Sequence, residues 1–163
     1  SSVLPNLLIP GILDALSRSK APKVYVCNVM TQPGETSRFS AADHVQVLIN
    51  HCPNRHIVDN VVVNNWIPLA LVEKYAQVGS VPVEIDTERL HQMNIDIIER
   101  VLVDDGEVIR HNSRKLARAI VTWFKRYQRQ QGRKTPKSSN LFPNPASGNP
   151  SASTPTIQIV KNQ

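Results

Sequence analysis

Cysteine is scarce in this chain, with two among 163 residues. Two thiols do not make a disulfide framework. They read either as free thiols in a reducing compartment or as a single bridge. Cys27 alternates within an apolar run and is expected in the core, whereas Cys52 follows a helical stretch beside Pro53. No Cys-x-x-Cys or His-x-x-x-His spacing occurs, so no metal site is expected. No apolar run approaches the roughly 20 residues needed to span a bilayer, and no charged leader precedes an apolar stretch. These absences point to a cytoplasmic protein without a membrane span. The chain begins Ser1-Ser2 without Met, which fits a fragment or a processed product. Gly-x-Gly-x-x-Gly and Walker-type loops are missing, as is a Ser or Cys nucleophile elbow. A complete nucleotide site is therefore not visible.

Acidic residues are missing from the last third. All 13 precede residue 108, so residues 1–109, with 8 Lys/Arg, carry a net −5, and residues 110–163 carry +11. Such an end suits nucleic acid or acidic lipid headgroups, or is simply a solvated helix face and tail. Nucleic acid is disfavoured, because the basic region shows no aromatic stacking platform.

What is present reads as alternating strands and helices. Leu4–Ile12 is expected as a buried loop, and 10–19 as a short helix. Strands are expected at 23–29, 60–64, 83–85 and within 93–103, with a short return strand at 107–110 after the Asp104-Asp105-Gly106 turn. Helices are expected at 41–50, where Ser40 and Asp43 form a capping box, at 68–77, and from Ser113 to about Gln130 behind an Asn112 cap. Leu116, Ile120, Trp123, Phe124 and Tyr127 form the buried side of that last helix. This alternation implies a Rossmann-like three-layer α/β/α fold on a mainly parallel sheet. Residues 1–131 form its domain. Residues 132–163, rich in Pro, Ser and Asn, are expected to be disordered. Within them Ile157-Gln158-Ile159-Val160 reads either as a docking motif or as a stray apolar tetrapeptide.

Parallel sheets hold ligands beyond the carboxyl ends of their strands. The first strand runs into Asn28, Thr31, Gln32, Gly34, Glu35 and Thr36, and the second ends at Asn64. Neutral hydrogen-bonding groups suit a nucleoside, ribose or sugar. Gly34 permits close backbone approach. Glu35 could accept from hydroxyls, act as a base or help hold a metal. The alternative is a hydrogen-bonded turn that locks the strand end. Asp43-His44 at a helix start reads as an anion contact, as a base with its orienting carboxylate, or as a plain cap with a half-buried His. Arg110, before the last helix, is suited to a phosphate or diphosphate, or is an ordinary surface residue.

The runs Leu4–Ile12, Tyr25–Thr36 (YVCNVMTQPGET), Ser40–Val45, Val61–Asn64 and Val108–Ile120 together resemble the YvcK/CofD-like family over about residues 1–127. The resemblance implies a Rossmann-like fold about twice this length, of which this chain matches the C-terminal half. The Gly-rich turn that helps bind the nucleotide belongs to the other half. It implies one of two activities: UDP-sugar binding by a gluconeogenesis factor that supports cell-wall synthesis and cell shape, or metal-dependent transfer of a 2-phospholactyl group onto a deazaflavin precursor. The wording NVMTQPGET favours the first. The resemblance also carries Asn28, Thr31, Gln32, Gly34, Glu35 and Thr36 onto a ligand cleft, with Asp43 and His44 behind them and Arg110 at a UDP-sugar phosphate. A homo-oligomer is compatible with this reading, as is a non-catalytic interaction module with a basic tail.

Overall fold

A computed structural model describes residues 3–134 and 158–161. In chain order its elements are α1 (Val3–Leu7), α2 (Ile12–Arg18), β1 (Lys23–Val26), α3 (Ala41–His51), β2 (Asn60–Asn64), α4 (Leu69–Ala76), α5 (Thr87–Gln92), β3 (Asp96–Arg100), α6 (Ser113–Lys134) and β4 (Gln158–Lys161). The four strands form one sheet in the order β3-β2-β1-β4, and every strand pairing is parallel.

Strand periodicity builds the layers. Val24 and Val26 of β1, Val62 of β2 and Ile98 of β3 face α6 and pack with Leu102, Leu116, Ala119 and Ile120. Tyr25, Val61 and Val63 face the other way, onto α1, α3 and α5, where Val45, Leu48 and Leu90 are buried. All four β1 residues are buried, as expected of a strand covered on both sides. The result is the expected three-layer Rossmann-like α/β/α arrangement.

Several local expectations are overturned. The apolar run at 4–12 contains α1, with Pro5 accommodated in its first turn, where a missing N–H costs nothing. The first strand stops at Val26, not Val29. Residues 83–85 form no strand. Instead an isolated antiparallel bridge joins Met30 to Pro82, and the Glu84 carbonyl accepts from the Ala41 N–H at the start of α3. The unforeseen α5 begins after Asp86, which sits at φ 52° and caps Arg89 N–H. Only Leu90 is buried in α5, so it has no apolar stripe to reveal it.

Residues 107–110 return as a loop, because their backbone partners lie outside any sheet. The Ile109 N–H donates to Tyr75 Oη at 3.2 Å, and the Lys74 ammonium caps the Glu107 carbonyl. The disorder expected for 132–163 fails at Gln158–Lys161, which form β4 along the open edge of β1, in register from Lys23↔Gln158 to Val26↔Lys161. Pairing along the free side of β1 gives this four-residue segment backbone partners on one side. The α6 helix also continues to Lys134, past the expected end at 130. The remainder of the tail lies outside the described residues.

Candidate functional site

Beyond Val26 the chain leaves the sheet and is stapled to the segment after α4. The Thr31 N–H donates to Val81 C=O at 2.8 Å, Thr31 Oγ1 accepts from the Val81 N–H at 3.0 Å, and Ser80 Oγ donates to Thr31 C=O at 2.6 Å. Residues 32–37 then close on themselves. Thr36 Oγ1 accepts from the Gln32 N–H while its own N–H donates to Gln32 C=O, both at 2.9 Å. Gly34 sits at φ 85°, a conformation an L side chain resists, so the tight turn itself requires glycine here.

Opposite this loop stands the start of α6. Asn112 caps it by accepting from the Lys115 N–H at 2.9 Å, and its own N–H donates to Leu102 C=O at 2.7 Å. Its side-chain amide also meets the Asp104 carboxylate. Lys115 bridges to Asp104 at 2.6 Å, and that contact, with the Asn112 hydrogen bond, holds the Asp104 carboxyl below its usual range. Between the two walls lies an open cleft of about 870 Å³.

The cleft brings together five of the residues singled out from sequence: Asn28, Thr31, Gln32, Glu35 and Arg110. Thr31 is buried and its hydroxyl is committed to the staple, whereas Gln32, Glu35 and Arg110 are exposed to the cleft. Gly34 and Thr36 shape the loop from outside the lining. Asn64 is held elsewhere: its Oδ1 accepts from the Leu102 N–H at 2.8 Å and its Nδ2 donates to Trp66 C=O at 2.7 Å. It therefore joins the carboxyl ends of β2 and β3. Residues not singled out as site candidates also line the cleft, among them Tyr75, Ser80, His111 and Ser113. Tyr75 and Ser80 come from a segment whose closeness to the loop depends on the long-range staple, which leaves no local pattern. His111 and Ser113 flank the Asn112 cap and were legible by position alone.

Asp43 and His44 lie behind the loop. Asp43 completes the capping box with Ser40 and pairs with Arg89 at 2.9 Å. Burial opposes its ionisation, but the Ser40 N–H and Arg89 outweigh that and lower its carboxyl pKa. His44 is 4% exposed, with Nδ1 3.4 Å from Tyr25 Oη, Phe39 edge-on at 5.5 Å, and no hydrogen-bond partner for Nε2 among the described residues. Burial lowers its pKa, against a smaller raising pull from Asp43. The native state keeps this ring neutral, while an unfolded histidine takes up a proton near pH 6.5. Its stabilising effect is thus whole above about pH 6.5 and is lost as pH falls toward the lowered native value. We expect His44→Leu to flatten the dependence of the urea midpoint on pH between about 7 and 5. An unchanged slope would disprove the assignment.

An open parallel α/β sheet with a polar cleft beyond its carboxyl ends defines the class: a Rossmann-like protein whose site is built from strand-end loops and one helix start. The profile of the family described as 2-phospho-L-lactate transferase CofD matches residues 1–103. The gluconeogenesis factor of Bacillus subtilis is 40% identical over 127 residues, covering 77% of this chain and 40% of that protein. The gluconeogenesis factor of Halalkalibacterium halodurans is 42% identical over 123 residues, covering 74% and 38%. A crystal structure of a UPF0052-family protein from Bacillus halodurans superposes with a TM-score of 0.68 at 42% identity, covering 72% of this chain and 38% of that one. This chain belongs to the CofD/YvcK family. It spans about two fifths of the length of these relatives.

Proposed function

We propose that the cleft is one wall of a nucleotide-sugar site, and that the protein is a UDP-sugar-binding regulator in the cytoplasm rather than an enzyme. In this reading it supports cell-wall synthesis and cell shape on gluconeogenic carbon sources. The observation that carries the reading is the division of the cleft's chemistry. Neutral donors and acceptors, Asn28 and Gln32, line the loop side, and Arg110 lies beside the α6 start on the other. A base and sugar need the first kind of group. A diphosphate needs the second, where a guanidinium and the positive end of a long helix act together. The relatives' name, gluconeogenesis factor, supports the gluconeogenic part of this setting.

Titration calorimetry of a full-length version that carries both walls of the site, with UDP-N-acetylglucosamine, tests this. Binding is expected, with Arg110→Ala weakening it about tenfold or more through loss of a charge-assisted contact. No heat at millimolar ligand, or an unaffected Arg110→Ala variant, would reject the reading.

The family profile's description favours a second reading, a phospholactyl transferase, to which the family resemblance adds a divalent metal. Glu35 is the one carboxylate among the described residues lining the cleft. It fits the sparse protein ligation that magnesium accepts when substrate phosphates complete the shell. A bound metal would neutralise phosphate charge there, and Glu35 would hold it. Metal-dependent turnover of a deazaflavin precursor would establish this second reading.

A further inference from the structure

Two thirds of the way along the chain, acidic residues stop, and α6 turns that change of composition into a surface. Its 22 residues carry eight Lys/Arg and no acid. Arg114, Arg118, Lys125 and Arg129 are all exposed, and none has an acidic partner among the described residues. At 3.6 residues per turn they fall within about 60° of arc and form a straight stripe about 22 Å long. The stripe lies opposite the face buried against the sheet, where Leu116, Ala119 and Ile120 pack.

Two features show what kind of anion suits this face. Val121, 49% exposed, borders the stripe, and Val101, 45% exposed, lines a hollow of about 250 Å³ beside it together with Arg100 and Arg118. Apolar side chains set among unpaired cations match a surface whose charge lies directly over hydrocarbon. They add nothing to a contact with a phosphodiester backbone. The helix's aromatic rings are also unsuited to nucleobases. Trp123 and Phe124 each stack or tilt against Tyr127, at 5.5 and 6.3 Å, half-buried on the flank away from the stripe. A strongly basic exposed face that carries isolated apolar side chains suits the negatively charged surface of an anionic bilayer.

We propose that the outer face of α6 docks the protein peripherally on acidic phospholipid, with the Arg100–Arg118 hollow receiving a headgroup. The contact is electrostatic and reversible. It needs no membrane-spanning segment, and among the described residues no helix is long and apolar enough to be one. It is independent of what the cleft binds.

Sedimentation of the whole chain with vesicles tests it. Phosphatidylcholine vesicles containing about one third phosphatidylglycerol should bind the protein, pure phosphatidylcholine should not, and binding should collapse between about 0.05 and 0.5 M salt. The triple variant Arg118→Gln, Lys125→Gln, Arg129→Gln should lose at least about tenfold in affinity. Its thermal unfolding should stay unchanged, because all three side chains are exposed. Equal binding to both vesicle types overturns the proposal. So does full binding by the triple variant, which would shift the contact to other cations. Tighter binding to a short DNA duplex than to acidic vesicles at equal salt would show that the stripe serves nucleic acid instead.

Discussion

Replacing Leu102 with alanine is expected to cost about 2–5 kcal/mol of unfolding free energy, read from urea denaturation. The side chain is 0% exposed and fills the layer between the sheet and α6 with Val26, Val62, Ile98 and Leu116. Truncation removes that burial and leaves a cavity the neighbours cannot fully close. The position also holds the cleft. Its N–H donates to Asn64 and its C=O accepts from the α6 cap, Asn112. Leu102 thus fixes the end of β3 and the start of α6 to the same point. Ligand affinity should fall together with stability. A Leu102→Ala chain with an unchanged urea midpoint would mean that α6 does not depend on this packing.

The second large effect concerns thiol chemistry. Cys27 is 1% exposed, and burial pushes its thiol up to about 12. At pH 8 that leaves about 1,000-fold less thiolate than an ordinary cysteine would have, and thiolate is the reactive form. Cys52 is equally hidden and is also raised by burial. Native protein should therefore resist iodoacetamide at both positions, as followed by mass spectrometry, and react with two equivalents once denatured. Rapid labelling of Cys27 in the folded chain would contradict the packing of β1. The two thiols are free, as one of the two sequence readings held.

Much of the layer plan was legible because burial leaves a period in the sequence. Val61-Val62-Val63 is too short and too β-branched to be anything but a covered strand, and Ser40 with Asp43 announces α3 through local hydrogen bonds. The losses occurred where partners are distant. Nothing within residues 80–85 reveals that their backbone is spent on Thr31, Val29 and Ala41 instead of on a sheet. For the same reason the polar loop after β1 lines the cleft with only some of its residues, and that division of labour leaves no local signal. Thr31 spends its hydroxyl on Val81 and Thr36 on the loop itself, whereas Gln32, Glu35 and Asn28 line the cleft. Arg110 needed only its place before a capped helix, which is a local property.

The pairing of β4 with β1 has a consequence during translation. Lys23 meets Gln158, 135 positions later, whereas β1 meets β2 after 36 (Val24 with Asn60). At ordinary rates of synthesis, about 5–20 residues per second, a nascent chain carries an unclosed β1 for roughly 7–27 s after that strand is made. During that interval its backbone is an open template for any passing strand. Until residues 158–161 arrive, mispairing at this edge competes with the native closure of the sheet.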